Sequence, residues 1–208
     1  MRIPIAILLT AVAAFAAEPA KPAAKDGKPP CCRAALDLGK PTDKSLYLLD
    51  STWTSDVGRQ IKLGALRGRP QIVALFFTHC EYACPILVGE LKAIEGRLPP
   101  EVLGKVDFLL VSIDSKRDTP ADLAIFREKR HLTRERWTLL RGEADDVREL
   151  AALLGVNYAE DTRGQFAHTN LITLLNADGE IAFQHAGLKQ DPASLIAAIE
   201  NAARGAQR

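Results

Sequence analysis

The stretch QIVALFFTHCEYACP, residues 71–85, decides the fold. Its first seven residues are almost uninterruptedly apolar and rich in β-branched and aromatic side chains, which is typical of a strand covered on both faces. A second run, Val106 to Ile113, has the same pattern. Between them, Pro85 to Leu98 carries leucine and isoleucine at helical spacing, and Pro99-Pro100 ends the helix. We therefore predict a right-handed βαβ unit with two central, parallel strands.

Three further helices are predicted around this unit. One opens with Thr119 as N-cap and Pro120 at its first position, and Leu123, Ile125 and Phe126 should form its buried side. The others run from about Glu143 to Leu154, before Gly155, and from Pro192 to about Ala203.

Turn sequences indicate two antiparallel hairpins. Ala177-Asp-Gly179 separates strands predicted at residues 170–176 and 180–184. Nearer the N-terminus, Asp56-Val-Gly58 separates strands predicted at residues 47–50 and 60–63. The predicted fold class is α/β, a mixed sheet flanked by helices with an N-terminal hairpin.

The N-terminal segment indicates export. Arg2, the apolar centre from Ile3 to Ala14 and Ala14-Phe15-Ala16 form the pattern of a secretory signal over residues 1–16, although an uncleaved membrane anchor is the alternative. Residues 17–44 are rich in Pro, Lys and Ala and are predicted to be a flexible tether. Residues 45–208 then form one domain. The expected location is the periplasm, free or membrane-anchored.

Charge excludes one class of partner. Lys and Arg total 27 and Asp and Glu total 26, a formal charge of +1, and no long basic stripe occurs. The sequence therefore lacks the basic patch that binds nucleic-acid phosphates, and no nucleic-acid partner is expected.

The four cysteines form two pairs, Cys31-Cys32 in the tether and Cys80 with Cys84 directly after the first central strand. That position is the carboxyl edge of the sheet, where open α/β folds place their sites. Residues four apart on a helical turn face the same way, close enough for a disulfide or for two sulfurs to share a metal ion. A helix N-terminus favours the thiolate form. The pair could therefore exchange disulfides, bind a metal ion or form a structural disulfide.

A third ligand would separate metal binding from redox exchange, and histidine is the candidate type. His168 lies in the loop Gly164–Asn170, which in a thioredoxin-type layout comes beside the cysteine turn. His131 and His185 fit structural positions, and His79 fits a positioning or packing role better than that of a ligand. Two thiolates and one imidazole suit copper, with zinc as the competitor.

A family resemblance rests on three features of the chain. The segments FTHCEYACP (77–85) and VSIDSKRDTP (111–120), followed by His168, resemble the Sco (SenC, PrrC) family of copper-binding cytochrome oxidase assembly proteins. The resemblance extends over about Ser45 to Leu188. It implies a thioredoxin-like fold, copper bound by Cys80, Cys84 and His168, and a role in maturing the copper centre of a terminal oxidase.

The resemblance also implies partners and an accessory residue. The partners would be the copper-bearing subunit of cytochrome oxidase or another copper chaperone, together with a thiol reductant. Asp114 matches the family aspartate near the copper loop, with a role in orienting a ligand or receiving a partner. Cys31 and Cys32 lie outside the family motif. They could bind or pass a cuprous ion, pair with another chain, exchange with Cys80 and Cys84, or be incidental.

Two enzyme classes compete with a copper carrier. Some members of the family resemble thiol-disulfide reductases, so Cys80 and Cys84 could reduce cysteines of a copper-protein partner. A peroxiredoxin-type peroxidase needs threonine three residues before its reactive cysteine, where this chain has Phe77. The peroxidase is therefore discounted.

Overall fold

The two predicted central strands lie side by side in the computed structural model, which describes residues 40–205. The strands are β1 (Trp53–Ser55), β2 (Gln60–Ile61), β3 (Gln71–Phe76), β4 (Asp107–Ser112), β5 (Trp137–Arg141), β6 (Tyr158–Glu160), β7 (Phe166–His168), β8 (Leu171–Leu175) and β9 (Ile181–Ala186). The helices are α1 (Ala83–Arg97), α2 (Pro100–Leu103), α3 (Pro120–Arg130), α4 (Ala144–Leu153) and α5 (Ala193–Gly205).

Seven of these strands form one mixed sheet in the order β2-β1-β5-β4-β3-β8-β9. Strand β3 pairs in parallel with β4, placing Gln71 opposite Asp107, and β4 pairs in parallel with β5. On its other side β3 pairs antiparallel with β8. Every residue of β3 is buried, as its apolar sequence predicts. The predicted βαβ unit and the α/β class are confirmed.

The helices begin and end close to the predicted positions. Helix α1 buries Leu87, Leu91 and Ile94. Helix α3 has Thr119 as N-cap, and Thr119 and Asp122 form a capping box. The prediction that Ile125 is buried with Leu123 and Phe126 is wrong, because Ile125 is 49% exposed. Two residues along a helix correspond to more than half a turn, so Leu123 and Ile125 face opposite ways.

The C-terminal hairpin is confirmed, whereas the N-terminal one has different bounds. Strands β8 and β9 pair antiparallel around the turn at Gly179. Residues 47–50 do not form the predicted strand, since Leu46–Leu48 is a 3-10 helix and the strand that pairs with β2 is β1. The Ser45 hydroxyl accepts a hydrogen bond from the Tyr47 amide at 3.2 Å, which turns the chain before it extends.

The short helix α2, strand β5 and the pair β6–β7 were not predicted from the sequence. Strand β5 extends the sheet beyond β4, and β6 and β7 form a separate two-stranded sheet.

Among residues 40–205, no helix is both long and apolar enough to span a bilayer. The predicted signal (1–16), Cys31, Cys32 and most of the predicted tether (17–44) lie outside the described residues.

Candidate functional site

The cysteine pair lies where the first central strand gives way to helix α1. Cys80 belongs to the turn after β3, and its amide donates to the Phe77 carbonyl at 3.3 Å. Cys84 lies in the first turn of α1 and is fully buried, whereas Cys80 is half-buried. The Cys84 amide donates to the Cys80 sulfur at 3.2 Å. Both cysteines are free thiols, so the structure brings the two sulfurs together without bonding them.

The two thiols have opposite acidities. The hydrogen bond from the Cys84 thiol, reinforced by the backbone amides at the start of α1, lowers the pKa of Cys80 to about 5 despite partial burial. The same thiol hydrogen bond raises the pKa of Cys84 far above its usual value, and burial adds to the rise. At neutral pH the pair therefore holds one thiolate, on Cys80, and one thiol, on Cys84.

A buried carboxylate fixes the start of the cysteine turn. Asp118 accepts hydrogen bonds from the Thr78 amide at 2.9 Å, from the Thr78 hydroxyl and from the Ser112 hydroxyl. Its side chain is fully buried, and its negative charge is a further cause of the raised pKa of Cys84. No role was predicted for Asp118. A signal was present, because Thr78 is a polar residue directly after a buried strand and needs a hydrogen-bonding partner.

Asp114, the predicted accessory residue, lies in the same region. Among residues 40–205, His79, Asp114 and Asp118 are the only group of three His, Cys, Asp or Glu side chains with ligand atoms all within 4.8 Å of one another. Both carboxylates already accept hydrogen bonds from the protein. The hydroxyls of Thr78 and Ser112 donate to Asp118, and the amide and Nε of Arg117 donate to Asp114. Asp114 is 1% exposed, so it acts on its surroundings through Arg117.

His168 lies at the end of β7, in the separate two-stranded sheet. Its Nδ1 lies 3.1 Å from the Thr169 carbonyl oxygen. A carbonyl oxygen only accepts, so Nδ1 carries a hydrogen, and in a neutral imidazole Nε2 then holds the free lone pair. Nε2 is buried and has no hydrogen-bonding partner in the structure. This nitrogen is therefore available to a further partner, and a metal ion would accept its lone pair.

Aromatic packing connects two parts of the candidate site. One is the histidine hairpin, formed by β6 and β7 (residues 158–168), and the other is the cysteine turn, residues 78–84. The Phe77 ring, three residues before Cys80, lies 5.2 Å from the Phe166 ring and 6.3 Å from the His168 ring, edge to face in both cases. A cavity of about 440 Å³ separates the cysteine turn from the hairpin, with Cys80 and Tyr82 on one side and Phe166 on the other. Cys80, Cys84 and His168 do not all lie within 4.8 Å of one another. The Phe77 ring thus packs against Phe166 and His168, while the Phe77 carbonyl accepts from the Cys80 amide. Cys80 lines the cavity, whereas Cys84 and His168 do not.

The comparisons with known proteins come from a family model, a sequence relative and solved structures. The SCO1/SenC family model matches residues 41–204. A Stutzerimonas stutzeri protein named "Putative copper-binding protein" is 30% identical over 120 residues, which are 56% of this chain and 57% of that protein. This chain thus matches little more than half the length of that relative.

Two solved structures show the same fold. Arabidopsis thaliana ScoI with copper bound matches with a TM-score of 0.64 and 19% identity, over 74% of this chain and 96% of that one. BsSco, described as a member of the Sco family of cytochrome c oxidase assembly proteins with a disulfide switch, matches with a TM-score of 0.66 and 22% identity, over 81% and 98%. The predicted thioredoxin-like architecture is therefore the fold of these proteins.

Proposed function

Because this chain belongs to the SCO1/SenC family, we propose that it is a copper metallochaperone which carries one copper ion on Cys80, Cys84 and His168. Its acceptor would be the copper-bearing subunit of a terminal cytochrome oxidase or another copper chaperone. The observation that carries this proposal is the buried Nε2 of His168, which has a lone pair and no protein partner.

The donor set fits a soft ion. Cys80 supplies a thiolate at neutral pH, and Cys84 can supply a second one when a metal displaces its proton. Two sulfurs and one imidazole suit cuprous copper, and zinc also accepts this combination. Copper is favoured because the name of a relative and the description of a solved family structure both specify it.

Loading would require the histidine hairpin to approach the cysteine turn. The hairpin forms its own two-stranded sheet and has no strand pairing with the seven-stranded sheet. Its strands have three residues each, and such a hairpin has little stability of its own. A metal that binds both halves would therefore stabilise the closed arrangement by its own binding free energy.

Transfer to an acceptor would proceed by ligand exchange at the exposed side of the site. Cys80 borders the cavity, and Tyr82 beside it is 77% exposed, an unusual exposure for a large aromatic side chain. A partner that covers Tyr82 could present its own thiolates or imidazoles to the ion while Cys84 remains buried. The buried sulfur would then be the last protein ligand to release copper.

The second candidate is a thiol-disulfide oxidoreductase, which the unequal acidity of the two thiols favours. The Cys80 thiolate would attack a disulfide of the partner, forming a mixed disulfide and releasing one partner thiolate. Cys84 would lose its proton and attack the Cys80 sulfur, which releases the second partner thiolate and leaves a Cys80–Cys84 disulfide. Two electrons pass to the partner, and a thiol reductant must restore the pair.

Anaerobic Cu(I) competition against a chromophoric chelator separates the two candidates. We expect His168→Ala to lower Cu(I) affinity by about 100-fold, because it removes one of three donors and each donor contributes about 3 kcal/mol. His185→Ala is the matched control, because His185 lies on edge strand β9 and lines a different cavity. Unchanged Cu(I) affinity in His168→Ala, with disulfide reduction that depends on Cys80, would establish the oxidoreductase instead. Zn(II) titration of the same variants tests the competing metal.

We also propose that the protein acts outside the cytoplasm, either free in the periplasm or held by an uncleaved N-terminus. The support is the signal pattern of residues 1–16. Fractionation of expressing cells, with N-terminal sequencing of the recovered protein, should find it in the periplasmic or membrane fraction. Recovery in the cytoplasmic fraction would contradict export.

A further inference from the structure

The histidine hairpin is held to the rest of the domain mainly by side chains. Strands β6 and β7 pair only with each other. On the hydrophobic side, Phe166 packs against Phe77 at 5.2 Å and against Tyr158 of its own hairpin at 6.0 Å. Phe166 and His168 are two residues apart on one strand, so their side chains lie on the same face. Whatever fixes Phe166 therefore also fixes the direction of His168.

Arg117 makes contacts on both sides of the gap between the sheet and the hairpin. Its Nε donates to the Asp114 carboxylate, which lies just beyond β4 and is buried. Its Nη2 donates to the Gly164 carbonyl in the turn of the hairpin. Its guanidinium carbon lies 5.9 Å from the centroid of the Phe166 ring. One planar side chain thus bonds to the sheet, to the hairpin turn and to the aromatic face beside His168.

Gly164 allows this close approach. It has a φ of +75°, a conformation that residues with a side chain rarely adopt. A Cβ atom at this position would lie 2.7 Å from Nη1 of Arg117. Lys116 also reaches the hairpin, through an ion pair with Glu160 at 2.9 Å, but Lys116 is 77% exposed and such pairs contribute little. Arg117 is therefore the principal polar connection.

We propose that Arg117 is a positioning residue for copper binding: anchored on Asp114, it holds Gly164 and Phe166 so that His168 stays packed beside Phe77, the position from which a copper ion can draw the imidazole to the sulfurs. This inference rests on the proposed function, because it assigns Arg117 a role through His168. Arg117 does not touch the sulfurs. Loss of Arg117 should therefore alter the position of the His168 ring and leave the environment of Cys80 and Cys84 unchanged.

Arg117→Met tests the inference, since methionine keeps much of the apolar stem and removes the guanidinium. We expect Cu(I) affinity to fall about 10- to 100-fold, the usual cost of losing a partner that orients a metal ligand. The pH dependence of Cys80 alkylation should stay as in the wild type. In the metal-free protein, the amides of β7 should exchange hydrogen faster and the His168 ring signals in NMR should shift or broaden.

Three further variants keep the test decisive. Lys116→Met removes the neighbouring charge, whose exposed ion pair with Glu160 also reaches the hairpin, and it should leave Cu(I) affinity unchanged. Gly164→Ala introduces the Cβ clash with Arg117 and should reproduce the Arg117→Met phenotype. Arg117→Lys should restore little, because lysine lacks the planar fork.

The outcomes distinguish this inference from the proposed function. If His168→Ala weakens copper binding and Arg117→Met does not, the positioning role is wrong and the copper site stands. If neither variant affects copper binding, the proposed function itself fails. Faster exchange throughout the domain in Arg117→Met would show a general loss of stability and would overturn a specific role for Arg117.

Discussion

Copper loading should displace about one proton from the cysteine pair, not two. At pH 7.5 a thiol with a pKa of about 5 is almost completely ionised, so Cys80 has no proton to lose. Cys84, whose pKa is raised by its hydrogen bond to Cys80 and by burial, still holds its proton. His168 would bind through Nε2 while its Nδ1 continues to donate to the Thr169 carbonyl, so it would release no proton. Two independent thiols of ordinary pKa, about 8.5, would instead release about 1.8 protons at this pH.

Calorimetry measures this number directly. Reduced protein with Cys31 and Cys32 both replaced by serine would be titrated anaerobically with Cu(I)–acetonitrile at pH 7.5, in buffers of different ionisation enthalpy. The slope of the observed enthalpy against the buffer enthalpy gives the protons released per copper. The oxidised protein, with its disulfide formed, is the control that should neither bind copper nor release protons. A slope near two would refute the assignment of one thiolate and one thiol to the resting site.

Two other predictions concern the cysteine turn. Because the hydrogen bond from Cys84 lowers the pKa of Cys80, the rate at which iodoacetamide alkylates Cys80 should stay constant from pH 8 to pH 7 and fall to half only near pH 5. Cys84→Ala should move this midpoint to higher pH. An unchanged midpoint would exclude the hydrogen bond as the cause of the low pKa. Asp118→Asn should lower the free energy of unfolding by about 2 kcal/mol, since Thr78 and Ser112 lose a charged acceptor. Urea unfolding measures this loss beside the exposed control Asp145→Asn, and equal stability of the two variants would show that the Asp118 carboxylate contributes little.

Local signals made the centre of the fold predictable. The apolar runs of β3 and β4 and the capping box at Thr119 are short-range features, and each gave the correct element within a residue or two. The N-terminal strand predicted at residues 47–50 failed because Ser45 accepts from the Tyr47 amide and turns the chain there. Strand β5 was missed, although its sequence WTLLR carries the β-branched and aromatic residues of a strand.

Part of the candidate site was predictable, namely the neighbouring sulfurs of Cys80 and Cys84, but the arrangement around them was not. Cysteine spacing after a buried strand predicted the neighbouring sulfurs, because a strand and the next helix are connected locally. The distance between His168 and the sulfurs depends on contacts between residues far apart in sequence, such as Arg117 with Gly164 and Phe77 with Phe166. No local pattern encodes such pairs. The position of Thr78 indicates that it needs a hydrogen-bonding partner, but nothing local shows that this partner is Asp118, 40 residues later.

X-ray absorption at the copper K-edge of the Cu(I)-loaded protein tests the shared site most directly. We expect the first shell to contain two sulfurs and one nitrogen in the wild type, and to lose the nitrogen in His168→Ala. A first shell of sulfur alone in the wild type, or one that is identical in His168→Ala, would show that the imidazole and the two thiolates do not bind the same ion.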